Sequence, residues 1–65
     1  MNDATAQIQL RLLLVDDHTV VREGLKRLLD PQGNRWSITE AGTAFQALEC
    51  LRRESFDLVI ADLSL

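Results

Sequence analysis

The sequence predicts an α/β fold in which helices cover both faces of a parallel sheet. Two apolar runs carry this prediction, Leu12-Leu13-Leu14-Val15 and Leu58-Val59-Ile60-Ala61. Neither run alternates with polar residues, which is typical of strands that are buried on both faces. The residues between them leave room for a helix, a strand and a second helix. Strands and helices that alternate in this way form parallel sheets with right-handed crossovers.

The first helix is predicted from about Thr19 to Leu29, because apolar residues recur there at helical spacing, at Val21, Leu25 and Leu28. Gly24 lies inside this stretch and costs the helix about 1 kcal/mol relative to alanine. The next residues, 30–34, read Asp-Pro-Gln-Gly-Asn and form a strong stop-and-turn signal. The helix is therefore expected to end near Leu29.

A short, half-exposed edge strand is predicted at 36–41, where the sequence WSITEA alternates between two faces, with Trp36 beneath the sheet edge. Thr43 and Gln46 have the spacing of a capping box, which predicts the start of a second helix. The apolar stripe of this helix fades at 52–54 and consists of Ala44, Ala47, Leu48 and Leu51. Cys50 lies near the stripe and is expected to be a small buried hydrophobe.

Composition narrows the possible functions. A chain of 65 residues allows one small domain, which buries only about 60% of its unfolded surface. The formal net charge of −3 provides no basic surface for nucleic acid, so no direct contact with DNA is expected. A single cysteine excludes an internal disulfide and a cysteine-based zinc site. Residues 1–9 lack a cationic start and a long apolar run, so we expect a disordered leader, no membrane segment and a cytoplasmic protein.

Both apolar runs end in aspartate. Asp16 and Asp17 follow the first run, and Asp62 follows the last. If the strand order is 2-1-3, the direction of winding reverses between the first and third strands, and the two helices lie on opposite faces. Ligand sites in such sheets lie at the carboxyl ends of the strands that border this reversal. The sequence therefore predicts that the three aspartates converge.

Three neighbouring carboxylates repel one another unless a cation or protons compensate their charge. Oxygen ligands favour a hard ion, and Mg²⁺ fits them better than zinc. A divalent ion beside a free carboxylate can neutralise a phosphoryl group, so that the carboxylate attacks phosphorus and forms an aspartyl phosphate. The alternative is that Asp16 or Asp17 simply caps the following helix.

Several segments resemble, in order and spacing, the receiver domain of bacterial response regulators of the NarL/FixJ (LuxR-type) subfamily. They are LLVDDH at 13–18, VREGL at 21–25, ITEA at 38–41, AL at 47–48 and FDLVIADLSL at 56–65. The resemblance covers residues 11–65. The chain has no G-x-x-x-x-G-K-[ST] loop, which removes P-loop proteins, whose strands also end in acidic residues, as a competing interpretation.

The resemblance implies a flavodoxin-like receiver fold, of which residues 10–65 form the N-terminal half, so that the doubly wound sheet is truncated. Asp62 would be the phosphoacceptor. The Mg²⁺ ligands would be Asp17 directly, Asp16 through water or at a neighbouring position, Asp62, and the backbone carbonyl of Ser64. A sensor histidine kinase would donate the phosphoryl group. The parent protein would be a transcriptional regulator with a helix-turn-helix domain, and the receiver itself would not be an enzyme.

The sequence lacks the later strands and helices of such a domain, with the serine or threonine and the lysine that respond to the phosphoryl group. The third strand would then have an unpaired edge, and the chain is expected to be molten, aggregation-prone or self-associating. Two alternatives stay open, a non-phosphorylatable interaction fragment and a Mg²⁺-dependent phosphohydrolase-like half domain. The second is disfavoured because those enzymes often carry Asp-x-Asp after the first strand, and position 18 is histidine. His18 is expected to be a loop or first-turn residue without a catalytic role.

Overall fold

The computed structural model describes residues 9–62, which form five elements in the predicted order. They are β1 (Leu10–Val15), α1 (Thr19–Leu29), β2 (Trp36–Ala41), α2 (Ala44–Arg53) and β3 (Leu58–Ala61). The strands are parallel and their order is β2-β1-β3, as the sequence predicted. Residues 1–8 of the predicted leader, and Ser64, lie outside the described residues. Neither described helix is long and apolar enough to cross a membrane.

β1 is the central strand and the most deeply buried element. Leu12, Leu13 and Leu14 have no exposed surface, and Val15 is 3% exposed. The strand begins two residues before the apolar run, because Leu10 and the residue after it pair with β2 through the backbone while their side chains stay exposed. At the other end, Val15 is in register with the last residues of both neighbouring strands. The carboxyl ends of the three strands are therefore aligned.

The two helices lie on opposite faces of the sheet. Leu13 and Val15 point to one face, where they form a cluster with Ala41 of β2 and Ala47 of α2. The alternate residues of β1 point to the other face. Glu40 is in register with Leu14 there and accepts hydrogen bonds from two side chains of α1. α1 therefore covers that second face, which confirms the predicted winding.

The capping box predicted for α2 is present. The backbone N–H of Gln46 donates to Oγ1 of Thr43 at 3.1 Å, and Oε1 of Gln46 accepts from the backbone N–H of Gly42 at 2.7 Å. α1 has no such cap, because the side chain of its N-cap residue, His18, makes no capping hydrogen bond. The predicted turn after α1 contains Gly33 with φ of 71°, a left-handed conformation that favours glycine.

The apolar stripes of the helices are less buried than their patterns suggested. Within the described residues, α1 buries no side chain and α2 buries only Ala47. Cys50 is half-buried against the core cluster. The interpretation of Leu58–Ala61 as a strand buried on both faces was wrong, since Leu58 and Val59 are 41% and 43% exposed. The physical reason is that β3 is an edge strand of the described sheet and pairs only with β1.

Candidate functional site

The aligned ends of β1 and β3 hold the predicted aspartates. Asp16 and Asp17 follow β1 directly, and Asp62 follows β3. The backbone N–H of Asp62 donates to the carbonyl of Val15 at 2.9 Å, and the N–H of Asp16 donates to the carbonyl of Ala41 at 3.1 Å. The parallel pairing thus extends one residue beyond the strands. It brings Asp62, distant in sequence, beside the end of the central strand.

Asp16 is a buried carboxylate, only 1% exposed. Its Oδ1 accepts a hydrogen bond from the backbone N–H of His18 at 2.8 Å. His18 is itself the N-cap residue of α1, whereas a helix cap binds N–H groups two or three residues further on. Asp16 therefore does not act as the usual cap, which removes the structural alternative for this residue. Its other oxygen, Oδ2, is buried and has no hydrogen-bond partner among residues 9–62.

His18 joins the two aspartates that precede it. Its Nδ1 lies 2.8 Å from Oδ1 of Asp17 and 3.2 Å from Oδ1 of Asp16. Among the described residues these three side chains form a group whose ligating atoms all lie within 4.8 Å of one another. Asp17 and His18 are each 63% exposed, so solvent reaches the group from one side. The sequence reasoning assigned His18 to the loop, and its adjacency to the aspartate pair was the signal for including it.

The chemistry of this group suits a cation. A buried carboxylate oxygen without a hydrogen-bond donor is costly, and a bound cation removes that cost. Oxygen ligands from Asp16 and Asp17 match the preference of Mg²⁺. Asp62 is not a member of the group of three, although its backbone is fixed beside it. The remaining predicted ligand, the carbonyl of Ser64, lies outside the described residues.

A network of charged side chains borders the site on the α1 face. Arg22 Nε donates to Oε1 of Glu40 at 2.9 Å, and Lys26 Nζ donates to Oε2 of the same carboxylate at 2.8 Å. The hydrogen bond from Lys26, followed by that from Arg22, lowers the pKa of Glu40 below its ordinary value. Hydrogen bonds to Glu23 and Glu40 in turn raise the pKa of Lys26. The network joins α1 to β2 next to the acidic residues.

The fold and the acidic residues together define a doubly wound α/β protein with a carboxylate site at its topological switch point. Comparison with known protein families matches residues 12–65 to the response regulator receiver domain. The chain belongs to this family. The resemblance stated from the sequence motifs is therefore confirmed.

Curated relatives are response regulators. The chain is 36% identical over 56 residues to the transcriptional regulatory protein YhcZ of Bacillus subtilis (strain 168). The aligned residues cover 86% of this chain and 26% of that protein. It is 34% identical over 56 residues to the response regulator UvrY of Escherichia coli (strain K12), with the same coverage, 86% and 26%. It is 29% identical over 55 residues to the nitrate/nitrite response regulator protein NarP of the same strain, covering 85% of this chain and 26% of that protein.

The chain thus spans about a quarter of the length of these relatives. The nitrate/nitrite regulator among them agrees with the NarL/FixJ subfamily indicated by the motifs. No solved structure matches the chain.

Proposed function

We propose that this receiver sequence accepts a phosphoryl group on Asp62, with Mg²⁺ held by Asp16, Asp17, Asp62 and the backbone carbonyl of Ser64. The observation that carries the proposal is the hydrogen bond of 2.9 Å from the Asp62 N–H to the Val15 carbonyl. This bond fixes the backbone of Asp62 beside the strand that presents the aspartate pair, which supports Asp62 as the acceptor. The buried oxygen of Asp16, which has no hydrogen-bond partner in the described part of the chain, supports the metal assignment.

In this reaction the protein positions the reacting carboxylate and supplies the charged groups around it. A carboxylate oxygen of Asp62 attacks the phosphorus of a phosphohistidine on a sensor histidine kinase. The new P–O bond forms as the P–N bond breaks, the histidine nitrogen keeps the bonding electron pair, and the product is an acyl phosphate. Bound Mg²⁺ would offset the negative charge of the phosphoryl oxygens. Asp16 supplies a buried negative charge for the ion, and Asp17 approaches from the solvent side.

We propose further that the receiver controls the output of a longer transcriptional regulator. Two of the curated relatives are named as transcriptional regulatory proteins, which supports this assignment. In that arrangement a separate helix-turn-helix domain contacts DNA, because the net charge of −3 gives this segment no basic surface. The segment receives a signal in the cytoplasm and catalyses no reaction on other molecules.

The test is phosphorylation of the full chain by acetyl phosphate in the presence of Mg²⁺, followed by intact mass spectrometry. We expect a mass gain of one phosphoryl group that hydroxylamine removes, because hydroxylamine cleaves acyl phosphates. Asp62→Asn should abolish the gain. The matched control is Asp57→Asn, since Asp57 precedes β3 and its Oδ2 accepts from the Arg11 N–H at 2.7 Å, a bond that asparagine retains.

Two results would contradict the proposal. One is the absence of a mass gain in the unmodified chain. The other is a gain that persists in Asp62→Asn or after removal of Mg²⁺ by a chelator. A gain that is lost equally in both variants would show that the change at β3 disturbs the fold and would remove the support for Asp62 as acceptor.

We also propose that copies of the chain associate through β3. Leu58 and Val59 point to opposite faces and are 41% and 43% exposed, and no described strand pairs with the second edge of β3. Exposed apolar edge strands pair readily with other chains, and an added lysine prevents this. We therefore expect sedimentation to show a concentration-dependent mass that Val59→Lys reduces to that of a monomer. Val20→Lys, at a residue of α1 that is 83% exposed, should leave the association unchanged. A monomer at all concentrations would contradict this proposal.

A further inference from the structure

Arg22 connects three parts of the molecule around the acidic site. It lies in the first turn of α1, and its side chain is only 17% exposed. Its Nε donates to Glu40 of β2 at 2.9 Å, while its Nη1 donates to the backbone carbonyl of Asp16 in the loop after β1. One guanidinium therefore binds a side chain on a strand and the main chain of the site at the same time.

The second of these bonds acts on the peptide group that joins the two aspartates. The carbonyl of Asp16 and the N–H of Asp17 belong to one planar peptide group. Holding the carbonyl therefore fixes the orientation of this peptide group, from which the backbone of Asp17 continues. Asp16 is held at two further points, by its N–H to the carbonyl of Ala41 at 3.1 Å and by its Oδ1 to the N–H of His18 at 2.8 Å. Since the N-cap side chain of α1 makes no capping bond, Arg22 supplies the side-chain link from this helix back to the loop.

We propose that Arg22 is a positioning residue for the acidic site. Its guanidinium, held in place by Glu40, orients the Asp16–Asp17 peptide and thereby sets the directions of both carboxylates. The consequence for metal binding and phosphorylation rests on the function proposed above. The consequence for the loop can be measured without it.

The geometry requires arginine. A guanidinium is a rigid planar fork whose donors can bind two different acceptors at once, whereas a lysine ammonium is a point charge on a flexible stem. Lys26 lies one turn further along α1 and binds the same Glu40 at 2.8 Å, but its other partner is Glu23, also at 2.8 Å. Lys26 therefore shares the charge network of Arg22 and provides a matched control.

The experiment measures amide hydrogen exchange by NMR and titrates Mg²⁺ into the full chain, comparing Arg22→Lys with Lys26→Gln. The N–H of His18 reports on the site, because it donates to the carboxylate of Asp16. The N–H of Leu13, in the buried centre of β1, reports on the stability of the whole sheet. We expect Arg22→Lys to speed exchange at His18 about tenfold and to weaken Mg²⁺ binding about tenfold, as outer-shell substitutions at metal sites do. Exchange at Leu13 should be equal in the two variants.

A third variant, Glu40→Gln, retains an oxygen that can accept from Arg22 but removes the charge. It should fall between Arg22→Lys and Lys26→Gln in both measurements. Equal behaviour of Arg22→Lys and Lys26→Gln at His18 and in the Mg²⁺ titration would overturn the proposal.

The two proposals fail in distinguishable ways. A chain that binds no Mg²⁺ and is not phosphorylated, yet exchanges faster at His18 in Arg22→Lys, would refute the proposed function and support the positioning of the loop. The positioning role alone would be refuted if the chain is phosphorylated normally and Arg22→Lys does not change the exchange rate at His18.

Discussion

The two helices attach to the faces of the sheet in different ways. On the α2 face, Leu13, Val15 and Ala41 pack with Ala47 in an apolar cluster. On the α1 face, the alternate residues of the apolar run of β1 are also fully buried, but the helix contributes no buried residue, and two of its cationic side chains bind Glu40. The two helices have similar lengths and similar apolar patterns. An amphipathic sequence alone therefore does not reveal whether a helix attaches to the sheet by burying its own apolar residues or through ion pairs. The acidic site lies beside the α1 face, where these ion pairs make the attachment of the helix sensitive to charge.

The largest difference between the faces should appear when their apolar residues are truncated. Leu13→Ala removes a side chain with no exposed surface and is expected to cost about 2–5 kcal/mol of unfolding free energy. Leu28→Ala, on α1, changes a residue that is 80% exposed and should change stability by less than about 0.5 kcal/mol. Urea denaturation followed by the fluorescence of the single tryptophan, Trp36, measures both. Similar losses in the two variants would show that Leu28 contributes as much to stability as a fully buried residue of β1 does.

Substitutions at the N-termini of the two helices should differ by a smaller amount in their effect on the unfolding free energy. Thr43→Ala removes the oxygen that accepts from the Gln46 N–H at 3.1 Å and is expected to cost about 1 kcal/mol. His18→Ala removes a side chain that makes no capping hydrogen bond and should cost less than about 0.5 kcal/mol. The same denaturation experiment compares them. A larger loss in His18→Ala would mean that its contacts with the aspartates stabilise α1 more than a cap does.

The smallest effect concerns the charge network of the α1 face. The pKa of Glu40 is lowered from 4.5, first by the hydrogen bond from Lys26. A carboxylate with a lowered folded-state pKa adds stability above its unfolded pKa, and that stability is lost as pH falls through the folded-state value. Glu40→Gln should therefore cost less than about 1 kcal/mol at pH near 7, because these ion pairs are partly exposed.

The difference in unfolding free energy between Glu40→Gln and the unmodified chain should vanish at acidic pH and decrease at high salt. Denaturation at neutral pH, at acidic pH and with added salt measures this difference. A difference that persists in acid would mean that Glu40 contributes through packing, without dependence on its charge.

Much of the fold follows from local patterns in the sequence. The unbroken apolar runs, the helical spacing and the turn at 30–34 predicted all five elements within about two residues of their observed ends. The predicted convergence of the aspartates depended on the strand order 2-1-3, which the structure confirms. These features are local or come from rules of topology, so they can be read without coordinates.

Burial and long-range polar contacts could not be predicted in the same way. The apolar run of β3 matches that of β1, yet Val59 is exposed and Leu13 is not, because exposure depends on which elements lie beside a strand. Arg22 and Glu40 are distant in sequence and show no periodic relation, so nothing local links either of them to Asp16. Whether the His18 side chain joins the aspartate pair depends on its rotamer, which local sequence does not determine.

The hydrogen bond between Asp62 and Val15 also bears on the order in which the molecule assembles. It joins residues near opposite ends of the described chain, so the loop between them is almost as long as that chain. Closing such a loop costs more entropy than closing the shorter one between β1 and β2, and β3 is expected to join the sheet late in folding. If Asp17 and Asp62 both hold the proposed ion, its binding would favour the closed arrangement by mass action, and the folded fraction would increase with the ion's concentration.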